Sequence, residues 1–142
     1  MPSYNGDAFS IWVLWTVSLT PKVSLFQGHG LSYTTFKYAS LKTTGRTVTA
    51  EVTNTGKVAG AEVAQMYLGY PESAGEPLRV LRGFSKVMLK PGASATVSFE
   101  LGEHDTSIWG TEVGDWTPVK GEFKVSVGAS SRDIRLTGTA KF

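Results

Sequence analysis

The sequence predicts an all-β domain folded as a two-sheet β-sandwich. Three observations predict it. Apolar and polar residues alternate in short runs rich in Val, Thr, Phe and Tyr. Gly, Pro and Asn punctuate those runs every ~8–12 residues, the spacing of sandwich turns. No segment keeps apolar residues at helical spacing for more than about one turn.

The elements follow in order. Residues 34–41 (TTFKYASL) place Phe36 and Tyr38 on one face and Lys37 on the other, and Thr43-Thr44-Gly45 turns the chain. Residues 46–53 (RTVTAEVT) alternate most regularly, with Val48, Ala50 and Val52 inward. Asn54-Thr55-Gly56 is predicted to turn because Asn and Gly tolerate positive φ. Residues 61–70 (AEVAQMYLGY) are apolar on both faces, which suits a central strand covered on both sides. Residues 71–77 (PESAGEP) form a loop, and 78–90 (LRVLRGFSKVMLK) form a strand with Gly83 at a bulge. After the Pro91-Gly92 turn, 93–101 alternate through Ala95, Val97, Phe99 and Leu101. Two short strands, 107–109 and 115–119, flank a Gly110–Gly114 loop. Residues 122–127 turn Phe123, Val125 and Val127 inward, 128–131 turn the chain, and 133–139 close the fold through Ile134 and Leu136.

The predicted core is Phe36, Val48, Ala50, Val52, Val63, Met66, Leu68, Phe84, Val87, Leu89, Val97, Phe99, Phe123, Val125, Val127 and Ile134. Residues 1–25 stand apart from this pattern. Their apolar run, Ala8–Leu19 with Trp12 and Trp15, is too short to span a bilayer comfortably. A signal peptide is one reading, though no basic residue precedes the run and no small-x-small site follows it; the others are an edge strand, a poorly ordered tail and a remnant of a longer parent chain. If ordered, the two tryptophans are expected to pack on the domain or on a second copy of it.

Composition narrows the function classes. The 142 residues suit one domain with its own core. Fourteen basic against twelve acidic residues leave +2, without a basic patch, so neither a nucleic acid nor an anionic membrane is implied. With no Cys there is no disulfide framework or thiolate zinc site, and the two histidines, His29 and His104, are a poor start for a metal site. There is no G-x-S-x-G elbow beside His104-Asp105, and the Gly56–Gly60 turn is no phosphate cradle. The acidic groups Glu72/Glu76, Glu100/Glu103/Asp105 and Glu112/Asp115 fall in predicted loops or at strand ends, where carboxylates are ordinarily solvated. No cofactor is expected.

Residues 28–36 (GHGLSYTTF) resemble the "FGxGLSYTTF" segment that opens the C-terminal fibronectin type III-like domain of glycoside hydrolase family 3, a family that includes fungal β-glucosidases. The resemblance continues through 52–56 (VTNTG), 59–68 (AGAEVAQMYL), 81–92 (LRGFSKVMLKPG), 121–123 (GEF) and 125–136 (VSVGASSRDIRL). It covers 26–142, so the chain divides into an atypical segment, 1–25, and a fibronectin type III-like domain, 26–142. Gln27 departs from the aromatic usual before the first glycine. The resemblance implies an immunoglobulin/fibronectin type III-like sandwich and an extracellular location.

Family members carry their nucleophile and acid/base in a barrel and an α/β domain. These 142 residues hold neither, so the chain alone is expected to be no enzyme. Retaining hydrolysis needs two carboxyl groups roughly 5–5.5 Å apart about a sugar-sized pocket. The expected function is a non-catalytic accessory module that stabilises a hydrolase or binds plant-wall polymer or a protein. The alternatives are a fragment of a β-glucosidase and a small secreted protein engaging a host component. Candidate partners are glycoside hydrolase catalytic domains, plant-wall polysaccharide or lignin, a protein, or a second copy met through the N-terminal aromatic run. Candidate surface residues are Tyr70, Arg79, Arg82, Trp109, Trp116 and His29. Trp109 and Trp116 would stack on sugar or cap the core, Arg79 and Arg82 would pair with acids on a partner or stay solvated, and His29 would pack on a neighbouring domain.

Overall fold

Burial with a strict period of two runs through the whole of residues Thr47–Asn54: Val48, Ala50, Val52 and Asn54 are buried and the threonines and Glu51 between them are half-buried. That strand is β2. In the computed structural model, which describes residues 30–142, it lies between β1 (Phe36–Thr44) and β5 (Ser94–Glu100). The second sheet has the order β4 (Val80–Leu89), β3 (Gly60–Gly69), β8 (Glu122–Gly128), β9 (Ile134–Lys141). Every pairing in both sheets is antiparallel. A separate hairpin, β6 (Ser107–Gly110) and β7 (Asp115–Pro118), stands beside them. The predicted all-β sandwich is the fold observed.

The core lies between the sheets. The three-stranded sheet contributes Phe36, Tyr38, Val48, Ala50, Val52, Val97 and Phe99, with Leu101 just past β5. The four-stranded sheet contributes Ala64, Met66, Leu68, Leu89, Phe123, Val125 and Val127. Strand β3 is central, as its two apolar faces predict, and Ala64–Gly69 are buried on both sides. On its outer side Tyr67 donates to Gln65 Oε1 at 2.5 Å, and Gln65 Nε2 donates to the Ala129 carbonyl at 2.9 Å. These bonds let a polar side chain lie buried without an unmade partner.

Two predicted core residues are on the surface. Phe84 is 71% exposed and Val63 37% exposed. The register explains both. Gly83 and Ser85 pair with the inward Met66 and Ala64, so Phe84 and Lys86, opposite Gln65 and Val63, point outward. Val87 is only half-buried against the core, and Ile134 is half-buried outside it. Tyr38, Ala64 and Leu101 take core positions instead.

Irregularities shape the edges. In β4 the bulge falls on Arg82, beside Gly83: Met66 pairs with Gly83 and Tyr67 with Leu81, leaving Arg82 as the extra residue. A Cβ on Gly83 would lie 3.1 Å from the Phe99 ring, so glycine here serves packing between sheets. In β1 the register shifts between Ala39 and Lys42, with Ser40 at φ 56, and Leu41 reaches across to Gly138 of β9. The turn at Asn54–Gly56 forms without positive φ at either residue. Asn is needed there for its amide, and Gly because a Cβ would sit 2.1 Å from Thr34 Oγ1.

Candidate functional site

The hairpin presents aromatic rings outward. Trp109 and Trp116 are directly opposite in the β6–β7 register, so their side chains share one face with Ser107 and Pro118. Their rings meet edge to face, with centroids 5.9 Å apart at 83°. His104 adds a third ring, 5.1 Å from Trp116 and tilted by 56°. Trp109 is 54% and Trp116 44% exposed, so neither caps the sandwich core. Arg46, Glu103, His104, Ser107, Asp115, Trp116 and Pro118 enclose an open cavity of 280 Å³.

The floor of this site is tied to the sandwich. His104 lies in a short 3-10 turn, His104–Thr106. Asp105 Oδ2 accepts from the Gly102 amide at 2.8 Å, and Arg46 donates to the Gly102 carbonyl at 2.9 Å and to Thr106 Oγ1 at 3.2 Å. The Val119 amide donates to the Thr106 carbonyl at 2.9 Å, which joins the turn to the strand end beyond β7.

Tyr70 and Arg82 meet on the inner side of the same turn. The Tyr70 hydroxyl donates to the Asp105 carbonyl at 2.6 Å and accepts from Arg82 at 2.5 Å. Arg82 also lies 3.8 Å from the Asp105 carboxylate and 5.7 Å from the centre of the Tyr70 ring. The ring of Tyr70 in turn packs edge to face on Phe123 at 5.3 Å. Both residues therefore turn polar groups toward partners within the chain, although the buried Arg82 Nε finds no hydrogen-bond partner. The bulge that aims Arg82 inward is the feature a strand pattern does not reveal.

Arg79 stands apart from both groups. It is exposed and lines a shallow cavity of 450 Å³ with Leu78, Lys124, Ser126, Ile134 and Thr137. Nearby Tyr67 has its phenol held above the ordinary value by burial, an effect the Arg79 charge opposes. His29, and the expectations for residues 1–25, lie outside the described residues. Among the described residues no three His, Cys, Asp or Glu side chains gather as a metal site would require.

Sequence reasoning missed a further surface. The outer face of β4 exposes Phe84 (71%) and Met88 (72%), with Val63 of β3 beside them. At its margin Leu31, Val63, Lys86 and Ala129 line a groove of 290 Å³. The signal was present: Phe84, Lys86 and Met88 follow one another at the alternate positions of a strand.

Two packed antiparallel sheets of three and four strands around one core define a β-sandwich module of the fibronectin type III class. Residues 62–131 match the family model described as the fibronectin type III-like domain, and the chain resembles the C-terminal domain of glycoside hydrolase family 3 β-glucosidases. A probable β-glucosidase D of Aspergillus flavus is 42% identical over 86% of this chain, and a probable β-glucosidase L of Emericella nidulans 47% identical over 79%. The chain spans about a fifth of their length, 19% and 18%. A solved β-glucosidase of Chaetomella raphigera superposes with TM-score 0.76 at 46% identity, covering 89% of this chain and 21% of its own. The β-D-glucoside glucohydrolase of Trichoderma reesei gives 0.78 at 38% identity, covering 99% and 24%. No helix among the described residues is long and apolar enough to cross a membrane.

Proposed function

We propose that this domain is a non-catalytic supporting module of a family 3 β-glucosidase, docking through the outer face of its four-stranded sheet on the catalytic part of the enzyme. The observation that carries this reading is the contiguous exposure of Phe84, Met88 and Val63 on regular, well-paired strands. An apolar patch on a rigid face is the usual mark of a surface that another protein covers. The likeness to about a fifth of several β-glucosidases supplies the partner: the remainder of such an enzyme. The same reading places the domain outside the cell, and assigns glycoside hydrolysis to residues other than these.

The test is a transplant. In the Chaetomella raphigera β-glucosidase, the matching segment is replaced by this domain, with and without Phe84→Asp and Met88→Asp. The chimera is expected to hydrolyse an aryl β-glucoside and the doubly substituted one to lose thermal stability, while the isolated chain hydrolyses nothing and tolerates both changes. A chimera indifferent to the two substitutions would remove this face from the reading.

A further inference from the structure

We propose that the β6–β7 hairpin carries a carbohydrate-binding site, built on Trp109 and Trp116, that takes a glucosyl ring of a single soluble glucan chain. The site stands apart from the apolar sheet face and does not depend on the docking reading.

The ring geometry defines the ligand. A pyranose with equatorial hydroxyls is an amphiphile, with C–H faces above and below and a polar rim. It needs an apolar face to lie on and polar groups at the edge. The two indoles stand at 83°, so they form a floor and a wall rather than one plane. Such a corner cannot lie flat on a crystalline polymer surface, but it can hold one ring of a separate chain.

The polar edge is in place. Glu103, Asp115, His104, Arg46 and Ser107 border the cavity beside Trp116. Two carboxylates disfavour an anion. The Arg46 guanidinium offsets one of those carboxylates, and a cation, which the indole faces also attract, is the competing ligand that the tetramethylammonium control below separates. A neutral ligand with many hydroxyls suits donors and acceptors of both signs. The site is also held rigid without a ligand: Arg46 bonds Gly102 and Thr106, Asp105 bonds the Gly102 amide, and Tyr70 holds Asp105. A fixed site loses little conformational freedom on binding.

Calorimetric titration of the 142-residue chain with cellotetraose and with maltotetraose tests this. The two probes share glucosyl rings and differ in linkage, so they show which chain geometry the corner accepts. We expect saturable binding of at least one, with Kd on the order of 0.1–1 mM, as a shallow site with few ring contacts allows. Trp109→Ala and Trp116→Ala should each weaken it at least about tenfold, and Trp109→Phe should keep most of it. Because either alanine removes the Trp109–Trp116 cross-strand pair, each variant's thermal midpoint is measured, and binding is compared at a temperature where both variants remain folded. Tetramethylammonium is the cationic control. No saturable binding of either oligosaccharide, binding unchanged in Trp109→Ala, or a preference for tetramethylammonium overturns the proposal.

Discussion

The hydroxyl of Tyr38, on the three-stranded sheet, donates to Glu62 Oε1 of the four-stranded sheet at 2.8 Å, a hydrogen bond that spans the sandwich. Burial first, and the Glu62 carboxylate second, hold this phenol far above its ordinary value. The unfolded chain releases that proton near pH 10, whereas the folded chain keeps it. Stability from Tyr38 is therefore complete below about pH 10 and is lost progressively as the pH rises beyond it. Thermal midpoints between pH 8 and roughly 12 should fall in this alkaline window. Tyr38→Phe should flatten the fall, leaving a residue from Tyr67, whose phenol is raised by burial as well. At neutral pH the same substitution should cost about 1 kcal/mol, the worth of one partly screened hydrogen bond.

Asn54 is fully buried and uses its whole amide. Oδ1 accepts from Thr34 Oγ1 at 2.7 Å and from the Gly56 amide at 3.0 Å, and Nδ2 donates to the carbonyls of Val58 at 2.8 Å and Leu89 at 2.9 Å. One side chain thus ties the entry to β1, the turn after β2 and the end of β4. Asn54→Ala should cost about 3 kcal/mol in urea unfolding, since it leaves several buried groups without partners. Asn54→Asp keeps the shape but cannot donate to either carbonyl. Its deficit should shrink as the pH falls, because only the protonated acid can supply a donor there.

These two residues show what was legible in the sequence. Tyr38 sits on the right face of a regular alternation, and the sandwich, the strand order's punctuation and most of the core were readable from such alternation. Asn54 was readable as a turn residue but not as a buried hub, because its four partners come from three separate segments. Phe84 reads as inward for its apolarity, whereas the β3–β4 register, which sets Gly83 and Ser85 opposite the inward Met66 and Ala64, turns it outward. The Trp109–Trp116 pair was legible as two aromatics flanking a glycine-bounded loop. The contribution of His104 and Arg46 was not, since a cavity is made by chain segments far apart in sequence.

Tyr70 should act on local order more than on global stability. Its hydroxyl joins Arg82 to the Asp105 carbonyl, and Asp105 in turn braces the Gly102 amide. Tyr70→Phe keeps the ring contact with Phe123 and removes only the two polar links. Amide hydrogen exchange across residues 102–106 should accelerate by roughly tenfold, matching about 1.4 kcal/mol of lost local protection. Exchange in β3 and β8 should stay as it was. Uniform acceleration across the sheets would show the hydroxyl to be part of the global core instead.

Glycine serves two different purposes here, and substitution separates them. At Gly128 the backbone φ is accessible to any residue, but an added Cβ would lie 2.1 Å from the Asp133 carbonyl oxygen and 2.7 Å from Ile134 Cα. Both atoms belong to the backbone of the turn into β9, so relief requires moving the β8–β9 pairing itself. Gly92 is the opposite case: φ is 76°, and nothing lies within 4 Å of an added Cβ. The cost there is conformational alone, about 1–2 kcal/mol for an L residue in the left-handed region. Gly128→Ala should cost more, about 3 kcal/mol, in the range of overpacking at a site that cannot yield. Urea unfolding of the two alanine variants gives the comparison directly. A smaller loss at Gly128 than at Gly92 would mean that the turn at 128–133 shifts freely, and that close approach is not why glycine stands there.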